Sequence, residues 1–321
     1  MYYLGIDLGG TNIAAGICDE SGKLLIKGSV PTGASDTADA ITMRMADLSR
    51  DLASKINAGR LGYAGMAVPG TADRDINMIV YANNLPFVNY PIIEKFSQFS
   101  GIENIYIEND ANAAAYGEYV CGSAKGASVA VIVTLGTGVG GGIIINDRIF
   151  DGFNYAGGEI GHMVIHTGGK KCTCGRRGCF ESYASATALI SMTKEKMMKY
   201  RDSAMWQICS GDIDKVNGKT AFDAKRQGDK AGTEVVGRYI KFLASGIVNL
   251  INLFQPEILC IGGGISNERD YLLDPLKKII EKEQYSRNSV RKTEVKIASQ
   301  RNDAGIIGAA MLGKKLYDQS K

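Results

Sequence analysis

Residues 2–17 read Tyr2-Tyr3-Leu4-Gly5-Ile6-Asp7-Leu8-Gly9-Gly10-Thr11-Asn12-Ile13-Ala14-Ala15-Gly16-Ile17, and the same pattern returns 127 positions later. The apolar run Tyr2 to Ile6 reads as a strand, Asp7 to Thr11 as a tight turn, and Ile13 to Ile17 as a returning strand. In the echo, Val129 to Val133 is a strand, Leu135 to Gly142 a glycine loop, and Ile143 to Ile145 the return; Leu8-Gly9 falls on Leu135-Gly136. Identity between the copies is low but the pattern is shared, which predicts two similarly built α/β domains.

The stretch between and after the two copies supplies the remaining elements. A helix is expected from Thr37, with Ile41, Met45, Leu48, Leu52 and Ile56 on one stripe and a stop near Gly59. Strands are expected at Tyr63 to Val68 and at Ile105 to Ile107, with a helix over Asn112 to Tyr119. Later come a helix over Thr233 to Phe254, a strand at Ile258 to Ile261, the triplet Gly262-Gly263-Gly264, and a terminal helix from Ala304. No flexible linker is legible. The expected division is 1–122 with the helix 304–321 returning to it, and 123–303.

Composition narrows the function classes. The 321 residues carry 37 Lys+Arg against 34 Asp+Glu and are 45% apolar, enough for a sizeable core. The near-neutral balance leaves no electrostatic footprint for nucleic acid. Residues 126–146 are uncharged and long enough to span a bilayer, but glycines divide them into two β-branched runs of strand length, so they are expected as strand–loop–strand. With no basic start and Asp7 interrupting any signal core, the expectation is a cytoplasmic protein that meets no membrane. The 40 glycines exceed the average share and gather in loops, which suggests backbone approaching a ligand.

Two phosphate-binding candidates follow. In Asp7-Leu8-Gly9-Gly10-Thr11 the glycines let N–H groups face an anion, Thr11 can donate a hydroxyl, and Asp7 could hold a cation's water. Gly136 to Gly142 is expected to repeat the device. It also matches G-x-G-x-x-G through Gly136, Gly138 and Gly141, but that fingerprint needs a helix next, and a β-branched strand follows instead. No P-loop string is present. Asn109-Asp110 ends a strand, where α/β ligand sites collect, although either residue could simply cap the helix that follows.

The cysteines give the sharpest local pattern. His162 is followed after nine residues by Cys172-Thr173-Cys174 and then, four residues on, by Cys179. Three thiolates and an imidazole make a closed tetrahedral set, as in structural zinc sites. The imidazole is His162 or His166, the only two histidines, and spacing does not choose between them. So few histidines also disfavour Ser-His-Asp hydrolysis. Glu159 and Glu181 flank the cluster, and carboxylates with an imidazole suit the hydroxyls of a polyol.

Taken in order, Asp7 to Thr11, Ile107-Glu108-Asn109-Asp110-Ala111-Asn112, Leu135 to Gly142, Glu159-Ile160-Gly161-His162, Cys172-Thr173-Cys174-Gly175, Gly178-Cys179-Phe180-Glu181 and Gly262 to Gly264 resemble the ROK family of repressors and sugar kinases, and most closely its bacterial glucokinases. The resemblance runs from Gly5 to about Gly308. It implies the hexokinase/actin-like fold, two RNase-H-like α/β domains about a central cleft. It implies ATP with Mg²⁺ as cosubstrate, held by Asp7, Gly9, Gly10, Thr11, Asn12, Gly136, Thr137, Gly138, Gly263 and Gly264. Asp110 would be the general base toward the 6-hydroxyl of a hexose, with glucose the expected one, and Asn84, Asn109, Glu159, His162 and Glu181 would hold the sugar. Structural Zn²⁺ would sit on His162, Cys172, Cys174 and Cys179, with no role for His166. The family further implies a homo-oligomer, dimer or tetramer. N-acetylmannosamine, N-acetylglucosamine, fructose and allose kinases share these motifs. A ROK repressor needs a helix-turn-helix ahead of the first glycine turn, and Asp7 leaves no room for one.

Overall fold

The computed structural model describes residues 1–59, 61–82 and 84–319. In chain order the elements begin with β1 (Tyr3–Leu8), β2 (Asn12–Cys18), β3 (Leu24–Pro31), α1 (Ala38–Lys55), β4 (Tyr63–Val68), β5 (Thr71–Asp73), β6 (Met78–Tyr81), β7 (Val88–Tyr90), α2 (Ile92–Ser100), β8 (Asn104–Asn109) and α3 (Asp110–Cys121). They continue with β9 (Val129–Leu135), β10 (Val139–Ile145), β11 (Arg148–Ile149), α4 (Glu181–Ala184), α5 (Ala186–Lys199), α6 (Ala204–Ile208), α7 (Thr220–Arg226), α8 (Lys230–Phe254), β12 (Ile258–Gly262), α9 (Asp270–Glu283), β13 (Glu294–Ile297) and α10 (Ala304–Gln319). Short 3₁₀ turns join several of them.

Two sheets repeat one topology. The first has the order β3-β2-β1-β4-β8 and the second β11-β10-β9-β12-β13. In the first sheet β2 returns antiparallel beside β1, and β4 and β8 add on the other side as parallel strands. In the second sheet β12 is parallel to β9, and β13 is parallel to β12. This is the RNase-H-like pattern that the family resemblance implies, repeated once per sheet as the internal echo predicts. A separate three-stranded sheet, β5-β6-β7, grows out of the loop after β4.

The chain divides into two compact units, one of residues 1–128, 142–158 and those from 299 onward, the other of 129–141 and 159–298. In the first, Leu4, Ile6 and Leu8 of β1 and Met66 of β4 pack with Ile41, Met45, Leu48 and Leu52 of α1, all buried at i, i+4, i+7 and i+11. Thr37 caps α1, its hydroxyl accepting from the Ala40 N–H at 3.3 Å. α10 completes this unit against β1, β4 and α3. The contact is backbone on backbone: a Cβ at Gly65 would lie 1.7 Å from the Ala309 carbonyl, and one at Gly308 the same distance from the Ala113 carbonyl. Part of the glycine excess therefore serves packing, not ligand approach. Glu118, buried on α3, brings the chain back into this unit: its carboxylate accepts the N–H groups of Ser123 (3.0 Å), Ser299 (3.0 Å) and Gln300 (2.5 Å).

In the second unit α8 is the central helix. Asp229 caps it through the Gly232 N–H at 2.6 Å, and Val236, Tyr239, Ile240, Leu243, Ala244, Ile247 and Ile251 form its buried stripe. The uncharged segment 126–146 is a strand–turn–strand hairpin, and among the described residues no helix is long and apolar enough to cross a membrane.

One expectation needs correction. The glycine loop Leu135 to Gly142 is in fact a three-residue turn, Gly136-Thr137-Gly138, because β10 begins at Val139. Gly140 to Gly142 are strand residues. A Cβ at Gly141 would lie 2.2 Å from the Ile160 side chain, and one at Gly142 would lie 2.4 Å from that of Ala115. Their small size is a packing requirement.

Candidate functional site

In the first unit the candidates gather where β1 and β8, flanking β4 in a parallel run, end together. The Gly9-Gly10-Thr11 turn is braced from below: the Gly9 N–H donates to the Asn12 carbonyl at 3.0 Å, and the Thr32 hydroxyl donates to the Gly9 carbonyl at 2.7 Å. Space over Gly10 is open, as an anion-facing turn requires. Thr32 carried no sequence signal, because its role exists only once β3 pairs with β2.

At the end of β8 the choice between two caps is settled. Asn109 is the N-cap of α3, its Oδ1 accepting from the N–H groups of Ala111 (3.0 Å) and Asn112 (3.2 Å). Its Nδ2 donates to the Gly70 carbonyl at 3.1 Å, which leaves one N–H for any ligand. Asp110 stands exposed on the first helical turn, its Oδ1 accepting the Ala111 N–H at 2.8 Å. Asn84 lies in the exposed turn between β6 and β7, in the same unit.

Asp7 sits beside Asp110 and against Gly305 in the first turn of α10. Burial, and then the negative charge of Asp110, push its carboxyl up to about 6. The folded protein thus holds this proton more tightly than the unfolded chain, whose Asp titrates near 3.8. Stability should fall as pH rises from about 4 to about 6 and stay level above, a cost on the order of 2–3 kcal/mol. Asp7→Asn is therefore expected to raise the melting temperature at pH 7.5 without nucleotide or Mg²⁺, with the gain vanishing near pH 4. Thermal scans across pH check it; an equal gain at every pH would refute the charge origin.

The second unit brings together Gly136 to Gly138, Gly263, Glu181 and the cysteine cluster. Gly263 (φ +80°) is pressed against the end of β9, where a Cβ would lie 2.5 Å from the Leu135 carbonyl oxygen. Glu181 crosses between loops: its Oε2 accepts the Val139 N–H at 3.0 Å, and its Oε1 accepts the Thr173 hydroxyl at 3.4 Å. It is thus a brace between the glycine turn and the cysteine loop as well as a candidate sugar ligand.

The metal-ligating atoms of His162, Cys172, Cys174 and Cys179 all lie within 4.8 Å of one another. Tetrahedral zinc with bonds of about 2.3 Å to sulfur sets its ligand atoms about 3.8 Å apart. Here Cys172 Sγ lies 3.6 Å from His162 Nδ1, and Cys174 Sγ lies 3.7 Å from Cys179 Sγ. The donor set and its spacing fit zinc. With Nδ1 toward the thiols, His162 Nε2 points to Glu159, 4.0 Å from Oε2. His166 is outside the set and stacks on Tyr183, with ring centroids 5.8 Å apart.

These motifs, on two copies of an RNase-H-like sheet, define the class. A family model described as "ROK family" matches residues 3–316. The chain belongs to the ROK family, and its fold is the hexokinase/actin-like one. Among relatives it is 35% identical over 315 residues to a glucokinase of Thermotoga maritima, covering 97% of each chain. It is 36% identical over 321 residues to a glucokinase of Halalkalibacterium halodurans, covering 98% of this chain and 95% of that one. Its structure resembles a ROK family glucokinase from Streptomyces griseus in complex with glucose and AMPPNP. That likeness has a TM-score of 0.81 and 31% identity, covering 98% of this chain and 100% of that one.

Proposed function

We propose that this protein transfers the γ-phosphoryl group of ATP, as its Mg²⁺ complex, to the 6-hydroxyl of a hexose, and that the hexose is glucose. The observation that carries the reading is the Asp110 carboxylate, exposed on the first turn of α3 beside Asp7, with one oxygen accepting the Ala111 N–H at 2.8 Å. A phosphoryl acceptor needs a base on one side of the reacting phosphorus and fixed N–H donors around the phosphate oxygens on the other.

In this mechanism one Asp110 oxygen takes the proton of the 6-hydroxyl as O6 attacks the γ-phosphorus and the bond to the leaving ADP oxygen breaks. The N–H groups and hydroxyl of Gly9, Gly10, Thr11 and Asn12 hold phosphate oxygens; Asp7 would hold Mg²⁺ through its water, and the ion would supply neutralising charge to the phosphates. Gly136, Thr137, Gly138, Gly263 and Gly264 lie along the nucleotide. Asn84, Glu159, His162, Glu181 and the remaining N–H of Asn109 bind sugar hydroxyls. His162, Cys172, Cys174 and Cys179 would hold a structural zinc, which would offer no open position for chemistry and would stiffen the loop and orient His162. The near full-length likeness to glucokinases supports glucose over the 2-acetamido sugars, fructose and allose. We extend the proposal to a cytoplasmic homo-oligomer, and to a domain division of 1–122 with 304–321 against 123–303.

A coupled ADP-release assay across a hexose panel tests the substrate. Glucose is expected to give the highest kcat/KM, and 6-deoxyglucose to accept no phosphate. A tenfold higher kcat/KM for an N-acetylhexosamine would overturn glucose and leave the kinase; turnover of 6-deoxyglucose would overturn the 6-hydroxyl itself.

A further inference from the structure

Arg74, in the turn after β5, joins three side chains from two other segments, and nothing in the proposed mechanism uses it. One guanidinium nitrogen donates to Glu108 Oε2 at 2.6 Å and to the Tyr106 hydroxyl, and the other donates to Asp151 Oδ2. The guanidinium lies over the rings of Tyr106 and Tyr155, 5.5 and 4.6 Å from their centroids. All five residues belong to the first unit.

Each arm ends on a different part of the proposed site. Glu108 is 4% exposed, and its Oε1 accepts the Asn109 N–H at 3.0 Å and the Asn112 Nδ2 at 3.2 Å. It therefore grips both ends of the helical turn that presents Asp110. Asp151 opens the loop 151–158, which its own carbonyl closes by accepting the Gly157 N–H at 2.7 Å. Glu159 is the next residue after that loop. Within it Tyr155 has φ +59°, a conformation that an aromatic residue holds only where its surroundings impose it. Those surroundings are the Arg74 stack and Asp75, whose Oδ1 accepts the Tyr155 hydroxyl at 2.7 Å.

We propose that Arg74 is a positioning residue with two separable arms: the Glu108 arm sets Asp110 and governs kcat, and the Asp151–Tyr155 arm fixes the loop 151–158 that leads into Glu159 and governs the sugar KM. The fork explains why arginine stands here, since a lysine ammonium cannot align two carboxylates from different segments and stack on two rings at once. This inference rests on the roles assigned above to Asp110 and Glu159.

The test measures kcat and both KM values for the full chain with ATP, Mg²⁺ and glucose, together with melting temperatures. Asp151→Asn is expected to raise the glucose KM about tenfold with kcat within about twofold, because a loop displaced by a fraction of an ångström costs binding before chemistry. Arg74→Gln should show that rise and also lose about tenfold in kcat, and adding Asp151→Asn to it should raise KM no further. The ATP KM should not move in any of these. Tyr155→Gly relieves the backbone and keeps the fold, yet should still raise the glucose KM. If Asp151→Asn and Tyr155→Gly leave the glucose KM unchanged, or if every loss tracks melting temperature alone, Arg74 is a structural clamp and the proposal fails. Asp110→Ala and Glu159→Ala run alongside: wild-type constants in both would overturn the site reading itself, a result distinct from failure of the arms.

Discussion

Asp110→Ala is expected to lower kcat a hundredfold or more, about 2.7 kcal/mol of transition-state stabilisation, with the KM values for sugar and ATP within a few fold of wild type. The size follows from the division of labour at the end of β8. Asn109 supplies the cap, so removing the Asp110 carboxylate takes away the proposed proton acceptor and one local bond, to the Ala111 N–H at 2.8 Å, which Asn109 also accepts. The melting temperature should accordingly change little. Steady-state kinetics decide the matter: a variant within threefold of wild type would return Asp110 to the status of a surface carboxylate on a helix terminus.

The second large effect is expected at the metal. Bound zinc should approach one per chain, and Cys174→Ser should abolish it and reduce turnover tenfold or more. Zinc binding by such a set is worth on the order of 10 kcal/mol and is spent on ordering the loop that carries the ligands. Here the loop also carries Thr173, whose hydroxyl reaches Glu181, and Glu181 in turn holds the Val139 N–H beside the glycine turn. Loss of metal should therefore be felt in the ATP KM as well as the sugar KM. Metal analysis paired with kinetics checks this, and a metal-free variant with normal turnover would sink it.

Much of the fold is legible in the sequence alone. Strand–turn–strand units and the Ile41–Leu52 stripe follow from hydrophobic periodicity, and α1 begins after its Thr37 cap as expected. The cysteine cluster was legible because metal ligands need fixed residue types at short spacing. Three things were hidden, each for a physical reason. Asparagine and aspartate cap helices equally well, so which of Asn109 and Asp110 is the N-cap could not be read without the backbone. Glycine in a run looks like a loop, yet Gly140 to Gly142 are strand residues thinned for their neighbours. Arg74 sits among charged residues of an exposed turn, and its partners Glu108 and Asp151 are 34 and 77 positions away in sequence.

The return of the chain at Ser299 governs the order in which this molecule is made. Strands β1, β4 and β8 and helix α3 leave one face waiting for α10, whose backbone seats on Gly5, Gly65 and the α3 carbonyls. A ribosome delivers that helix only after all of residues 159–298 have emerged, so the intervening unit has its complete set of strands while the earlier one still exposes an apolar face. At translation rates of about 5–20 residues per second, the delay lasts on the order of ten seconds or more. The nascent protein should therefore bind chaperones through its first half and release them when residues near 319 clear the exit tunnel.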